Sequence, residues 1–102
     1  MDKSPESPNL PISHRQIGSK GAFFIERDGT RLAEMSYTVA GDLTIIDHTQ
    51  VDDALRGTGA GRRLVDAAVQ WARKGGHTLL PLCPFAKSVF DKTPEYADVL
   101  RA

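Results

Sequence analysis

The apolar positions of this chain change period near its middle. Before residue 51 they recur every second residue, or in short aromatic and β-branched runs, which is the spacing of strands. Residues 22–27, Ala-Phe-Phe-Ile-Glu-Arg, read as one strand and stop at Asp28-Gly29, a hairpin turn signal. Ala33, Met35, Tyr37 and Val39 then alternate with Glu34, Ser36 and Thr38, which predicts a half-buried strand. Gly41-Asp42 marks the next turn, and residues 43–51 form the third strand of a meander. Residues 14–17 add a short edge strand, with 18–21 as its turn.

Beyond Val51 the period becomes helical. Leu64, Ala68, Trp71 and Ala72 share one stripe with Val65 and Val69 at its margin; Arg62, Arg63, Asp66, Gln70 and Arg73 take the wet side. This helix spans about 59–74. Arg73 and Lys74 suit its C-terminal dipole, and Gly75-Gly76 stops it. Residues 78–83 read as a short strand, in which Pro81 removes one ladder donor. Residues 85–92 and 95–100 read as short helices separated by Thr93-Pro94. A helical crossover between two strands makes those strands parallel. The expected class is α/β (α+β): an antiparallel meander, then a strand–helix–strand unit, then short C-terminal helices.

A chain of 102 residues holds one modest domain with a small core. Pro5, Pro8 and Pro11, with Ser and Glu between them, predict a disordered tail over 1–12 and a single domain over 13–102. Thirteen basic and thirteen acidic residues cancel, so no basic excess points to nucleic acid or a membrane surface. One cysteine cannot form an intramolecular disulfide and fits a reducing compartment. No apolar run is long enough to span a bilayer, and no apolar signal core opens the chain. The expectation is a cytoplasmic protein without a metal centre.

The chemistry concentrates between the third strand and the helix. Gly57, Gly59 and Gly61 form a glycine-rich elbow that opens a helix. Glycines there can take positive φ and offer no Cβ against a ligand. The unpaired N–H groups of a helix start and its dipole make an anion site, and phosphate is the usual occupant. A Walker loop needs Gly-Lys-Ser or Gly-Lys-Thr, but Gly61 precedes Arg62-Arg63. A dinucleotide fingerprint needs Gly-x-Gly-x-x-Gly, and Gly57-Thr58-Gly59-Ala60-Gly61 falls one residue short. A third pattern, Val-x-Pro/Asp-x-x-Arg/Gln-x-x-Gly-x-Gly/Ala, is filled by Val51, Asp53, Arg56, Gly59 and Gly61.

Two reactive side chains fall near the carboxyl ends of the strands flanking this helix, where ligands of such units bind. His48 is either a general base near neutral pH or a strand histidine bonded to a neighbour. Cys83 is a nucleophile, a proton donor to a leaving thiolate, or a small core residue. His14 and His77 lie at element edges and are expected to be solvated.

The third pattern resembles motif A, the acetyl-coenzyme A pyrophosphate loop of the GNAT N-acetyltransferase superfamily. Ile46-Asp47-His48-Thr49, the 55–61 loop, the Cys83-Pro84-Phe85-Ala86-Lys87 segment and Pro94-Glu95-Tyr96 look like a branch of very short, single-domain GNAT-like proteins. The likeness covers roughly 23–100. It implies a curtailed GNAT fold and acetyl-coenzyme A as cosubstrate, held by Val51, Arg56, Gly57, Thr58, Gly59, Ala60, Gly61 and Arg62. It also implies acetyl transfer to an amine, on a small molecule or a protein. The family's His and Cys carry over onto His48 and Cys83, and a strand N–H near Val51 polarises the thioester. Direct transfer and a route through acetyl-Cys83 both stay open. Larger GNAT enzymes begin with a strand and two helices that build much of the acceptor site; the stretch before His14 is too short and Pro-rich to supply them. This motivates the alternative of a non-catalytic acyl-coenzyme A-binding module that acts through a protein partner. Tyr96, nearest to the usual tyrosine acid, reads as a packing residue.

Overall fold

The computed structural model describes residues 10–101. The first part of the expected tail, residues 1–9, lies outside them. Its end does not: Leu10 and Ile12 pack against the core, and the Leu10 carbonyl accepts a bond from Arg63 Nη2.

Strands β1 (Ser13–Ile17), β2 (Lys20–Arg27), β3 (Thr30–Ala40) and β4 (Leu43–Val51) form an antiparallel meander. Helix α1 (Ala60–Gly75) crosses over to β5 (Thr78–Pro81), which pairs parallel with β4. The five strands lie in sequence order in one sheet. Helix α2 (Pro84–Lys92) and a 3-10 turn (Pro94–Val99) complete the domain. The last segment, read from the sequence as a short helix over 95–100, is a 3-10 turn. A second 3-10 turn (Asp53–Leu55), not foreseen, opens the loop before α1; Asp52 caps it by accepting from the Ala54 N–H at 2.9 Å.

The meander forms because each turn carries the residues it needs. At β2–β3, Asp28 (φ 53°) and Gly29 (φ 81°) are both left-handed, the pairing that matches strand twist in a two-residue hairpin. One sheet face then presents Phe23, Ile25, Met35, Tyr37 and Ile46 to Leu64, Val65, Ala68, Val69 and Ala72 of α1, all buried. Each fully buried side chain of this size contributes roughly 1.5–3 kcal/mol. The C-terminal turn is pinned to α1 by polar contacts. Arg73 donates two bonds to Asp98, both 2.9 Å, and Tyr96 Oη donates to Asp66 Oδ1 at 2.8 Å.

His77 is half-buried where a solvated ring was expected, and His14, though exposed, rests one ring face on an aromatic neighbour. His14 stacks on Phe23 with centroids 4.1 Å apart, and His77 stacks on Trp71 at 4.3 Å. Aromatic neighbours on β2 and α1 give both imidazoles a face to cover, which their edge positions in the sequence do not reveal.

A β-bulge in β4 has the largest consequence for function. Ser36 pairs with His48 and Tyr37 with Ile46, leaving Asp47 as the extra residue. A bulge puts two residues opposite one and reverses the alternation beyond it. Thr44 and Ile46 face the helices before it; Thr49 and Val51 do so after it. His48 therefore points to the opposite face, where plain alternation from Ile46 would have turned it inward. Thr38 Oγ1 donates to Asp47 Oδ2 at 2.8 Å and anchors the extra residue.

Candidate functional site

β4 and β5 stay paired only to Ile46 and Pro81. The Ile46 carbonyl then accepts from two successive N–H groups, Leu82 at 3.1 Å and Cys83 at 3.3 Å. There the chain turns away, with Cys83 as the N-cap of α2, while β4 continues through Val51. Pro84 at the first helical position loses no hydrogen bond and has φ pre-set for a helix, so the turn falls at this residue. The strands consequently part, and a cleft of about 500 Å³ opens beyond them. Its walls are the end of β4, the 55–61 loop with the start of α1, and one face of α2.

The sequence-derived coenzyme residues gather around this cleft: Val51, Arg56, Gly57, Gly59, Ala60, Gly61 and Arg62 line it. Thr58 does not. Its hydroxyl donates to the Leu55 carbonyl at 2.6 Å, so it closes the loop from within. Gly57 (φ 77°) and Gly59 (φ 82°) are left-handed, with open space where a Cβ would stand. Gly59 caps α1 without a side-chain bond, and the Arg63 N–H reaches its carbonyl at 3.0 Å. Helix geometry leaves the N–H groups of Ala60, Gly61 and Arg62 ahead of that first bond, at the positive end of the dipole. Gly61 is required for a different reason. A Cβ there would lie 2.5 Å from Phe85 Cζ, so the Phe85 ring holds this position against α1 only opposite glycine.

Cations ring the mouth. Arg56 Nε lies 2.9 Å from Asp53 Oδ1, an exposed pair that leaves Arg56 easily redirected. Arg62 Nη2 donates to Thr93 Oγ1 at 2.9 Å, and Lys92 lies on the α2 wall. Unpaired helix N–H groups, an uncrowded loop and cations fit a pyrophosphate, and the apolar Leu55, Phe85 and Val89 fit an uncharged thioester arm. The residues present thus fit acetyl-coenzyme A.

Sequence reading missed Thr49, Leu55, Phe85, Ser88, Val89 and Lys92 as lining residues. The α2 residues among them sit three and four apart, a helical spacing that marks one face; Thr49 needed the bulge to be known.

His48 and Cys83 are not brought together. Cys83 is 5% exposed, and its Sγ donates to Thr49 Oγ1 at 3.3 Å on the helix-covered side of the parting. His48 is exposed on the other side. The two flank the opening between β4 and β5 from opposite faces. Tyr96 is buried; burial, and next its bond to Asp66, push its phenol above the ordinary value, which suits packing. Among the described residues no group of three or more His, Cys, Asp or Glu side chains is placed to hold a metal, and no helix is long and apolar enough to cross a membrane.

Comparison with known proteins agrees with this architecture. The model of the GCN5-related N-acetyl-transferase family matches residues 22–99. A GCN5-like protein from Staphylococcus aureus, solved by NMR, is 36% identical; the likeness covers 92% of this chain and 90% of that one, with a TM-score of 0.70. The ribosomal-protein-S18-alanine N-acetyltransferase of Escherichia coli shares the fold at 20% identity and a TM-score of 0.63, over 76% of this chain and 53% of the enzyme. The ribosomal-protein-alanine N-acetyltransferase of Brucella melitensis does so at 19% and 0.59, over 82% and 63%. No curated protein matches. With the family model spanning most of the domain, the chain belongs to the GCN5-related N-acetyltransferases, in a compact, curtailed form of their fold.

Proposed function

We propose that the chain transfers the acetyl group of acetyl-coenzyme A to a primary amine, with His48 and Cys83 acting from opposite sides of the strand opening. The observation that carries this reading is the cleft. Free N–H groups of α1, left-handed Gly57 and Gly59, and the parting of β4 from β5 all converge on it.

The thioester supplies an activated acetyl group. The acceptor nitrogen must reach it unprotonated. His48, exposed on the face away from the helices, takes the proton as the C–N bond forms. The C–S bond breaks toward the helix-covered side, where the Cys83 S–H can turn from Thr49 Oγ1 to the departing sulfur. Direct transfer is favoured over an acetyl-Cys83 route. His48 faces away from the Cys83 sulfur, so it cannot act as the adjacent base that activates a thiol nucleophile.

The test has two stages. Acetyl-coenzyme A should raise the melting temperature, because a ligand bound only by the native state stabilises it. Mass spectrometry of candidate amines should then detect an acetyl increment that requires His48. A melting temperature unmoved by saturating acetyl-coenzyme A would remove the reading altogether.

A further inference from the structure

The cleft has an order along α2. Cys83 caps the start of this helix, and Phe85, Ser88, Val89 and Lys92 line the cleft from one face of it. The rise from Pro84 to Lys92 is about 12 Å. Cys83 marks the reacting end; Lys92 stands at the other, in the last turn of α2.

Arg62 is brought to that same end. It leaves the first turn of α1 and donates through Nη2 to Thr93 Oγ1 at 2.9 Å, and Thr93 is the residue after Lys92. Thr93 is 6% exposed and joins two elements. Its N–H reaches the Phe90 carbonyl at 3.2 Å, and its own carbonyl takes the Tyr96 N–H at 3.0 Å. The backbone bonds hold the hydroxyl in place, and the hydroxyl holds Arg62. A guanidinium bonded through one nitrogen keeps its other N–H groups for a ligand.

These two charges are uncompensated. Among the described residues neither Arg62 nor Lys92 lies in an ion pair, whereas Arg56 is paired with Asp53 at 2.9 Å. Carboxylates on the same two helices are engaged elsewhere: Asp66 accepts from Tyr96 Oη at 2.8 Å, and Asp91 lies 3.7 Å from Lys87 Nζ.

We propose that Arg62 and Lys92 form a second phosphate subsite, apart from the N–H groups of α1, which binds the ribose 3′-phosphate of coenzyme A, with Thr93 as its positioning residue. The inference rests on the acetyltransferase reading above. Coenzyme A carries phosphate in two places: the pyrophosphate, and a lone phosphate on the ribose beyond it. The N–H groups and dipole of α1 match the first. A phosphate monoester at neutral pH holds a charge of about −1.5 to −2. Two cations at the far end of the cleft balance it. Arg62 can grip it with two parallel N–H bonds, and Lys92 adds a point charge. The site therefore selects coenzyme A over dephospho-coenzyme A, which lacks only this group.

Calorimetry on the full chain, with coenzyme A and dephospho-coenzyme A as the two ligands, tests this. Coenzyme A should bind at least about tenfold more tightly, because its extra phosphate makes charge-assisted bonds. Lys92→Met, at an exposed position, should narrow that ratio to about threefold or less. Thr93→Val should narrow it as well, and Thr93→Ser, which keeps a hydroxyl, should preserve it; a general loss of stability would weaken both ligands together. Circular dichroism checks that each variant folds. Equal affinity of the unaltered protein for the two ligands overturns the assignment. So does Lys92→Met that weakens both alike, since Lys92 would then serve the pyrophosphate. A ratio that survives Thr93→Val removes Thr93 from the site. Binding of dephospho-coenzyme A in any of these cases leaves the acetyltransferase reading intact; that reading fails separately if neither ligand binds.

Discussion

The sulfhydryl of Cys83 donates to Thr49 Oγ1 at 3.3 Å, joining the first turn of α2 to β4 where β4 and β5 separate. A thiol that is 5% exposed and already bonded is a poor free nucleophile and a well-placed donor. Alkylation by iodoacetamide should be slow in the free protein and slower still with acetyl-coenzyme A, without an acetyl increment on the Cys83 peptide. Cys83→Ser should keep partial activity, since a hydroxyl can also donate. Cys83→Ala and Thr49→Val should each lower kcat about tenfold, with the double variant no worse, as expected for contacting residues that act together. Rapid alkylation, equal in free and saturated protein, would put Cys83 outside the reaction.

His48→Gln keeps the size and polarity of an exposed side chain but cannot accept the amine proton. Transfer should slow by about 10²–10⁴-fold, the usual scale of general-base loss. Affinity for acetyl-coenzyme A should be unchanged, because His48 lies on the face opposite the cleft. Weakened coenzyme binding without slower transfer would reverse these roles.

Gly59→Val places a β-branched residue at φ 82°, which costs about 1–3 kcal/mol of backbone strain. It also fills open space at the cleft wall. Each charge-assisted hydrogen bond is worth about 1.5–3 kcal/mol, so losing even one should weaken acetyl-coenzyme A binding about tenfold or more. Calorimetry that finds the affinity unchanged would place the phosphates elsewhere.

Gly61→Ala tests the contact between α1 and α2. The new methyl would meet Phe85 Cζ at 2.5 Å and Cε2 at 2.7 Å. Phe85 is 41% exposed, so its ring can swing outward. Overpacking of this kind costs about 1–3 kcal/mol, and solvent access at Phe85 puts this site at the lower end. The displaced ring should also weaken coenzyme binding, because Gly61 and Phe85 share the cleft wall. A lowered melting temperature with unchanged affinity would show that the ring moves away from the cleft.

His14 gives stability a pH dependence. Its ring stacks on Phe23 and meets the Tyr37 hydroxyl through Nε2. Burial pushes this imidazole below the ordinary value, while burial pushes the Tyr37 phenol up. With the folded value lowered, the unfolded chain binds the proton first, so protonation favours unfolding. The stability from neutral His14 is present above the ordinary value of about 6.5 and is lost as the pH falls through it toward the folded value. Thermal melts from about pH 7.5 down to about pH 5.5 should show a falling midpoint, and His14→Gln should flatten that fall. An equal slope in both proteins would assign the dependence to other groups.

Much of this protein is determined locally. Alternation of Ala33, Met35, Tyr37 and Val39 with polar residues suffices for a half-buried strand, because strand side chains alternate faces. Asp28-Gly29 suffices for a hairpin, since it tolerates the two left-handed residues the turn needs. The stripe from Leu64 to Ala72 and the terminal glycines place α1 to within a residue. Gly57 and Gly59 take the left-handed φ that their glycine identity allows, and Gly61 lies beside them on the cleft wall, so the loop's shape was legible from its own residues.

What tertiary structure decided depends on pairing between distant residues. The bulge at Asp47 exists only because β3 pairs with β4 in one register, and it alone sends His48 to the face away from the helices and Thr49 to Cys83. Nothing near Asp47 in the chain announces it, since a bulge is a mismatch between two strands. The place of Phe85 and Val89 on the cleft wall likewise follows from the packing of α2 beside the start of α1, where Gly61 leaves room for the Phe85 ring. Local periodicity sets which residues share a face; the register between strands sets which face that is.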